Sequence, residues 1–229
     1  MVPVIAIDGP GGSGKGTVAR LVARRFGWHL LDSGALYRLV ALAGIRHGLT
    51  AHDIAGHVRL AASLDVKFEA DSAGDERVML EGSDVTRELR GEQAGEAASR
   101  VAAWPGVRSA LLGRQRAFVR PPGLVADGRD MGSIVFGDAG LKVFLTASPD
   151  ERARRRYKQL KQKGLSVNLA ALSAEIAERD RRDTTRPVAP LIAVPEAIVV
   201  DSTELSIEEV VARVISLARK RFPGLARQE

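Results

Sequence analysis

The stretch Val4-Ile5-Ala6-Ile7-Asp8-Gly9-Pro10-Gly11-Gly12-Ser13-Gly14-Lys15-Gly16-Thr17 decides the fold. Its first half is a short apolar strand, and its second half a glycine loop that ends in lysine and threonine. Gly9, Gly11, Gly12 and Gly14 let successive backbone N–H groups turn toward one point. Val18, Leu21, Val22 and Phe26 then recur at helical spacing, so a helix starts near Lys15 and adds the positive end of its dipole to that point. A strand, a glycine turn and a helix N-terminus in this order make a cradle for a polyphosphate.

The mechanical content is that of the P-loop: Lys15 reaches the outer phosphates and Thr17 offers a hydroxyl near the metal position. The general form G-x-x-x-x-G-K-[ST] puts Ser or Thr straight after the lysine, whereas here Gly16 intervenes. Working outward, Pro3 to Ile7, Trp28 to Leu31, Gly123 to Ala126, Leu141 to Leu145 and Ala197 to Val200 read as short apolar strands. Long helical patterns separate them, which predicts an α/β fold with a five-stranded parallel sheet flanked by helices. Ligands collect at the carboxyl edge of such a sheet, where Asp8, Asp32, Asp127 and Asp201 fall. At least two of these four are expected to be caps of the turns that follow.

Two excursions interrupt the pattern. Leu64 to Glu69 and Arg77 to Glu81 read as a small antiparallel hairpin or three-stranded flap, with turns at Ala70 to Glu76 and at Gly82-Ser83. Glu151 to Lys163 and Leu169 to Arg182 read as two charged helices around a break at Gly164 to Asn168. The tail beyond Phe222 is expected to fray.

The 229 residues suit one core with inserts better than two independent domains. With no cysteine there is no disulfide framework, thiolate zinc site or cysteine nucleophile, so any metal is held by oxygen. No apolar run reaches about 18 residues and no signal-peptide pattern precedes the first strand, which predicts a soluble, cytoplasmic protein without a membrane partner. A net charge of +6 invites a nucleic-acid reading, but aromatics are only 4% of residues. The arginines gather in two clusters, Arg152 to Arg156 and Arg179 to Arg186, which suits a compact anion; a solvated helix face is the plainer alternative for each.

Arg179, Arg182, Asp183 and Arg186 share one helix face by spacing, as do Arg152, Arg155 and Arg156 on the partner helix. A helical pair with converging guanidinium groups reads as a lid over a nucleotide. The charge argument assigns catalysis to Lys15, Arg129, Arg155, Arg179 and Arg186, and the glycine loop assigns polyphosphate binding to Gly9, Pro10, Gly11, Gly12, Ser13, Gly14, Lys15, Gly16 and Thr17. Thr17 and, through water, Asp127 are the candidates for Mg2+; a turn with a local Asp–Arg pair is the alternative for Asp127. A nucleotide monophosphate acceptor needs no base, because its second pKa is near 6. His29, His47, His52 and His57 show no metal or triad spacing and read as structural or surface residues.

The loop Gly9-Pro10-Gly11-Gly12-Ser13-Gly14-Lys15-Gly16-Thr17, with glycine and then threonine after the lysine, resembles that of nucleoside monophosphate kinases. Trp28 to Arg38, Ala126 to Gly132, Glu178 to Asp180 and Arg186 to Leu191 resemble the bacterial cytidylate kinase family, in that family's order, from about Val4 to Ala218. The resemblance implies transfer of a phosphate from ATP to CMP or dCMP with magnesium, by a monomer. It implies a division into core (1–60, 101–150, 187–229), monophosphate-binding insert (61–100) and lid (151–186). Ser33, Arg38, Ser99, Arg108, Arg129, Asp130, Arg179, Asp183 and Arg186 would then surround the acceptor. Ser99, Arg108 and Asp130 would read the cytosine edge, Asp183 the ribose hydroxyls, and Arg38, Arg129 and Arg186 the phosphate. Two alternatives stay open: a kinase for another monophosphate or small metabolite, and an NTP-driven switch or RNA-binding module. Asn168 is the sole asparagine, so the switch cannot carry an Asn-Lys-x-Asp guanine box.

Overall fold

The structure is a computed structural model that describes residues 2–70, 76–89, 91–162, 164 and 166–227. In chain order its elements begin with β1 (Val4–Asp8), α1 (Lys15–Phe26), β2 (His29–Asp32), α2 (Ser33–Arg46), α3 (Ile54–Ala62) and β3 (Val66–Ala70). There follow β4 (Glu76–Leu80), β5 (Ser83–Asp84), α4 (Thr86–Leu89), α5 (Glu92–Val101), α6 (Pro105–Arg116) and β6 (Leu124–Gly128). Next come a single wide turn of helix (Met131–Val135), β7 (Leu141–Thr146), α7 (Pro149–Gln162) and α8 (Leu169–Thr185). The chain closes with β8 (Ile198–Asp201), α9 (Ile207–Arg221) and a short 3-10 turn (Pro223–Arg227).

The chain divides into two compact units, one of residues 1–32 with 116–229 and one of Ser33–Gln115. The second is thus an insert in the first. In the first unit five strands form an all-parallel sheet in the order β2-β6-β1-β7-β8, as the alternation of apolar strands and helices predicts. β1 lies at the centre and all five of its residues are buried, which is why it reads as an unbroken apolar run. β8 is the edge strand and keeps Ile198 and Val199 exposed, so its apolar composition alone does not make it a buried strand. On one face, α1 and α9 close a core of Ile5, Ile7, Val18, Val22, Val125, Val143, Leu145, Val210 and Val214. Ser206 and Glu209 form a reciprocal capping box that starts α9.

Packing holds the first part of the tail expected to fray, and residues 228–229 lie outside the described residues. Phe222 meets Trp28 edge-on at 5.8 Å between ring centroids, and Leu225 packs against the same core. Two large apolar side chains within four residues hold the 3-10 turn down.

In the second unit β3, β4 and β5 make a three-stranded antiparallel sheet. The second turn falls at Glu81-Gly82, one residue before its expected place. Both residues have positive φ, 50° and 78°, the geometry of a tight two-residue hairpin turn, so Ser83 already belongs to β5. Most of the other expected turn, residues 71–75, lies outside the described residues, as does Lys163 at the end of the first lid helix. Among the described residues no helix is long and apolar enough to cross a membrane.

Candidate active site

The carboxyl edge of the sheet in the first unit carries the loop and its carboxylates. The parallel register sets Ile7 beside Asp127 and Asp127 beside Asp32, so the strand ends arrive together. Gly9 has φ 153°, and a Cβ there would stand 2.0 Å from the carbonyl oxygen of Leu145. Only glycine allows the chain to leave β1 this close to β7. Gly12 and Gly14 adopt positive φ, 79° and 87°, and Gly14 caps α1. Pro10 and Ser13 are buried, whereas Gly12 is exposed.

Lys15 opens α1, is buried, and donates to the carbonyl of Pro10 at 3.0 Å. Its pKa is pushed down from 10.5 to about 7 by burial and then by the Arg129 guanidinium; Asp127, Arg179 and Asp183 act more weakly, with the two carboxylates opposing the fall. A Cβ at Gly11 would stand 3.7 Å from Arg129 Nη2 and 3.9 Å from Arg179 Nε, so both guanidinium groups lie against the phosphate loop. Arg129 Nε donates to Asp183 Oδ2 at 2.9 Å. Burial raises the Asp183 pKa, but Arg129, Arg179 and Arg186 outweigh it and hold the carboxyl below its ordinary range. Arg186 is itself buried and donates to the carbonyl of Ala189. Lys15, Asp127, Arg129, Arg179, Asp183 and Arg186 thus form one electrostatic cluster at the loop.

Arg155 reaches the loop through Ser202. Its guanidinium donates to both the hydroxyl and the carbonyl of Ser202 and to Glu151, at the end of β8. Ser202 in turn donates to the carbonyls of Thr146 and Ser13. Arg152, three residues earlier and absent from the catalytic set read from the sequence, contacts the loop directly. It donates to Gly11 O at 3.1 Å and is 3% exposed. The signal that separates the two is helical phase: Ala153 and Leu160 mark the buried face of α7, and Arg152 adjoins it.

Of the four strand-end carboxylates, two cap backbone. Asp201 accepts from Thr203. Asp8 is buried and accepts from the N–H groups of Met131 at 2.8 Å and Gly132 at 2.7 Å, the start of the wide turn after β6. Burial drives its pKa up to about 6 against those two bonds, with Asp130 and Asp127 adding to the rise. Asp130 is 2% exposed at the head of the same turn.

A Cβ at Gly16 would lie 3.1 Å from Asp127 Oδ2, which gives a steric reason for glycine after the lysine. Thr17 is exposed on the first turn of α1, and Asp127 is buried. A hydroxyl and a carboxylate are hard oxygen donors, the chemistry that suits Mg2+.

The second unit gathers Ser33 and Arg38 on α2, Ser99 on α5 and Arg108 on α6, with α2 packed on α5. Ser33, Ser99 and Arg108 are buried. The Arg108 guanidinium stands 5.5 Å over the Tyr37 ring and donates to Ala102 O. Ser99 Oγ is buried without a hydrogen-bond partner among the described residues. The histidines are structural or at the surface: His29 bonds Pro121 O, His47 pairs with Glu81, His52 is exposed, and His57 is buried with Nδ1 on Asp53 O.

The family model described as cytidylate kinase matches residues 5–220. The chain belongs to the cytidylate kinase family. A cytidylate kinase of Pseudomonas savastanoi pv. phaseolicola (strain 1448A / Race 6) is 62% identical over 215 residues, 93% of this chain and 94% of that protein. One of Aeromonas salmonicida (strain A449) is 56% identical over 222 residues, 97% of this chain and 96% of that protein. Among solved structures, a gluconokinase from Sinorhizobium meliloti 1021 aligns with a TM-score of 0.48 and 14% identity, over 99% of this chain and 98% of that one. Cytidylate kinase family membership accords with the parallel sheet and the loop at the end of β1.

Proposed function

We propose that this member of the cytidylate kinase family transfers the γ-phosphate of ATP to CMP or dCMP in an arginine-rich, Mg2+-dependent site. The observation that carries the site is the approach of Arg129 and Arg179 to Gly11 of the phosphate loop, beside Lys15. Gly9 to Thr17 hold the donor, with Lys15 on its outer phosphates. Arg38, Arg129 and Arg186 take the acceptor phosphate, Asp183 the ribose hydroxyls, and Ser99, Arg108 and Asp130 the base, with Ser33 beside them. Residues 61–100 serve as the monophosphate-binding insert and 151–186 as the lid. Thr17 and, through water, Asp127 would hold magnesium, which supplies neutralisation of phosphate charge when bound.

The acceptor phosphate is largely ionised at neutral pH, so the protein has no proton to remove. Its task is to bring two anions together, exclude water and stabilise the charge on the migrating group. Asp183, kept ionised by its arginines, and Lys15, whose proton is favoured once an anion replaces water, make a site whose charge completes itself when nucleotide binds. Much of the basic charge is already matched: Arg152 with Asp180, Arg155 with Glu151, Arg181 with Glu178 and Arg100 with Glu96. Such pairing argues against a free basic face for nucleic acid; the reading is a monomeric, cytoplasmic enzyme that takes ATP and a cytidine monophosphate.

The test is a coupled assay over CMP, dCMP, UMP, AMP, GMP and dTMP. Turnover highest with a cytidine nucleotide is expected, and no turnover with either CMP or dCMP overturns the reading.

A further inference from the structure

We propose that the Arg152–Asp180 pair is a positioning element for phosphoryl transfer, clamping α8 to the phosphate loop so that Arg179 and Asp183 stand where the reaction needs them. The proposal rests on the kinase reading above and adds to it a pair that touches neither substrate.

Three segments meet at the one guanidinium. Arg152 Nε donates to Ala147 O at 3.0 Å, at the end of β7. Nη1 donates to Gly11 O at 3.1 Å, in the loop. Nη1 and Nη2 also form a two-pronged bond to Asp180 on α8, at 3.0 Å and 2.6 Å. A Cβ at Gly12 would lie 3.1 Å from Arg152 Cβ, so the loop also rests on the arginine's stem. Four of the guanidinium's five N–H groups are thus engaged by protein acceptors, which suits Arg152 to support the loop.

The position of Asp180 gives the pair its leverage. It is adjacent to Arg179 and three residues before Asp183, so one turn of α8 carries the clamp, the guanidinium beside Gly11 and the carboxylate that Arg129 grips. A displacement of the helix at Asp180 moves both neighbours by a similar amount, and misplacement of about 1 Å is enough to cost a large factor in rate. Stability alone is a poor reason for such a pair. A buried ion pair often contributes no more to stability than well-packed apolar residues of the same volume. Its fork does fix direction and distance, which an apolar contact does not.

The experiment compares Asp180→Asn, Arg152→Lys and the double variant with the wild type. Leu172→Ala serves as control, since it removes a buried side chain from the same helix without touching the pair. For each protein kcat, KM for ATP, KM for CMP and the thermal midpoint are measured. Asp180→Asn is expected to lower kcat at least tenfold with KM for CMP within about threefold, and the double variant to be no worse than the poorer single one. Arg152→Lys keeps a cation in the buried slot and guards against simple unfolding. The proposal is overturned if Asp180→Asn keeps kcat within twofold of wild type, if Leu172→Ala loses as much kcat at a matched thermal midpoint, or if the two single losses multiply. Wild-type protein that turns over neither CMP nor dCMP refutes the kinase reading instead. In that event ATP titration of the same proteins decides: weaker binding in Asp180→Asn but not in Leu172→Ala upholds the clamp, and equal affinities overturn it.

Discussion

Affinity for ATP should fall as pH rises above neutrality, because Lys15 has lost much of its proton before the nucleotide arrives. Burial and the neighbouring Arg129 place its pKa at about 7 in the unliganded protein, against an ordinary 10.5. At pH 7.5 roughly a quarter of molecules carry the lysine proton and at pH 9 about one in a hundred, from the titration equation with that value. If only the protonated form binds the triphosphate tightly, Kd rises about 20-fold over this window, or ~2 kcal/mol. The nucleotide's own last ionisation lies near 6 and contributes little there. Isothermal titration at pH 7.5, 8.25 and 9, in two buffers of different protonation heat, reads both quantities. Proton uptake on binding should climb from about 0.8 toward 1 per ATP. Lys15→Arg stays charged throughout and should show neither trend. Stability moves the opposite way. Between pH 7 and 10.5 the unfolded chain holds the lysine proton that the native state has released, so this group makes the unliganded fold more stable as pH rises. A wild-type Kd that stays constant from pH 7.5 to 9, or an equal slope in Lys15→Arg, refutes the reasoning.

Gly9→Ala drives a Cβ into the Leu145 carbonyl and should cost about 3–5 kcal/mol in urea unfolding, whereas Gly16→Ala should leave stability within about 1 kcal/mol and lower kcat about tenfold by displacing Asp127. Asp8, with its pKa raised from 3.8 to about 6, holds more protons in the native than in the unfolded state between those values. Wild-type stability relative to Asp8→Asn should therefore fall by roughly 2.4 kcal/mol as pH rises from 4 to 7, measured as the difference between the two denaturation free energies. Asp183→Ala should raise KM for CMP by tenfold or more and leave KM for ATP within about threefold; an unchanged acceptor KM rules out its ribose role.

The parallel sheet was legible because the strands are short, mainly apolar runs, four of them closed by glycine or aspartate, and all five start and end within a residue or two of the expected places. The glycine loop was legible for the same reason, since its requirements are local. What the sequence could not display is pairing across distance. Asp8 and Met131 are separated by 123 positions, and nothing in either neighbourhood signals that a strand-end carboxylate will hold the turn after another strand. The arginines of α7 are harder still. Arg152 to Arg156 are nearly uniform in charge, and helical phase sets Arg156 at least as near as Arg152 to the face marked by Ala153 and Leu160; Arg152 is buried because its acceptors, Ala147 O, Gly11 O and Asp180, come from other segments. Charge spacing alone chose Arg155, which the fold ties to Ser202.

That distribution of arginines bears on how the loop works. A phosphate cradle turns N–H groups inward, so its carbonyls point outward and need donors of their own. Here Pro10 O accepts from Lys15, Gly11 O from Arg152, and Ser13 O from Ser202, which Arg155 braces in turn. The donors come from α1, α7 and the end of β8, three separate elements of the first unit. A loop held by water on its outer side would have to be ordered by each incoming nucleotide, and binding free energy would be spent on that step. Held by protein, it presents the same donors before and during transfer, the condition for electrostatic stabilisation without reorganisation. Arg152 and, through Ser202, Arg155 thus fix the backbone of the loop, and substitutions there should register in kcat before they register in KM.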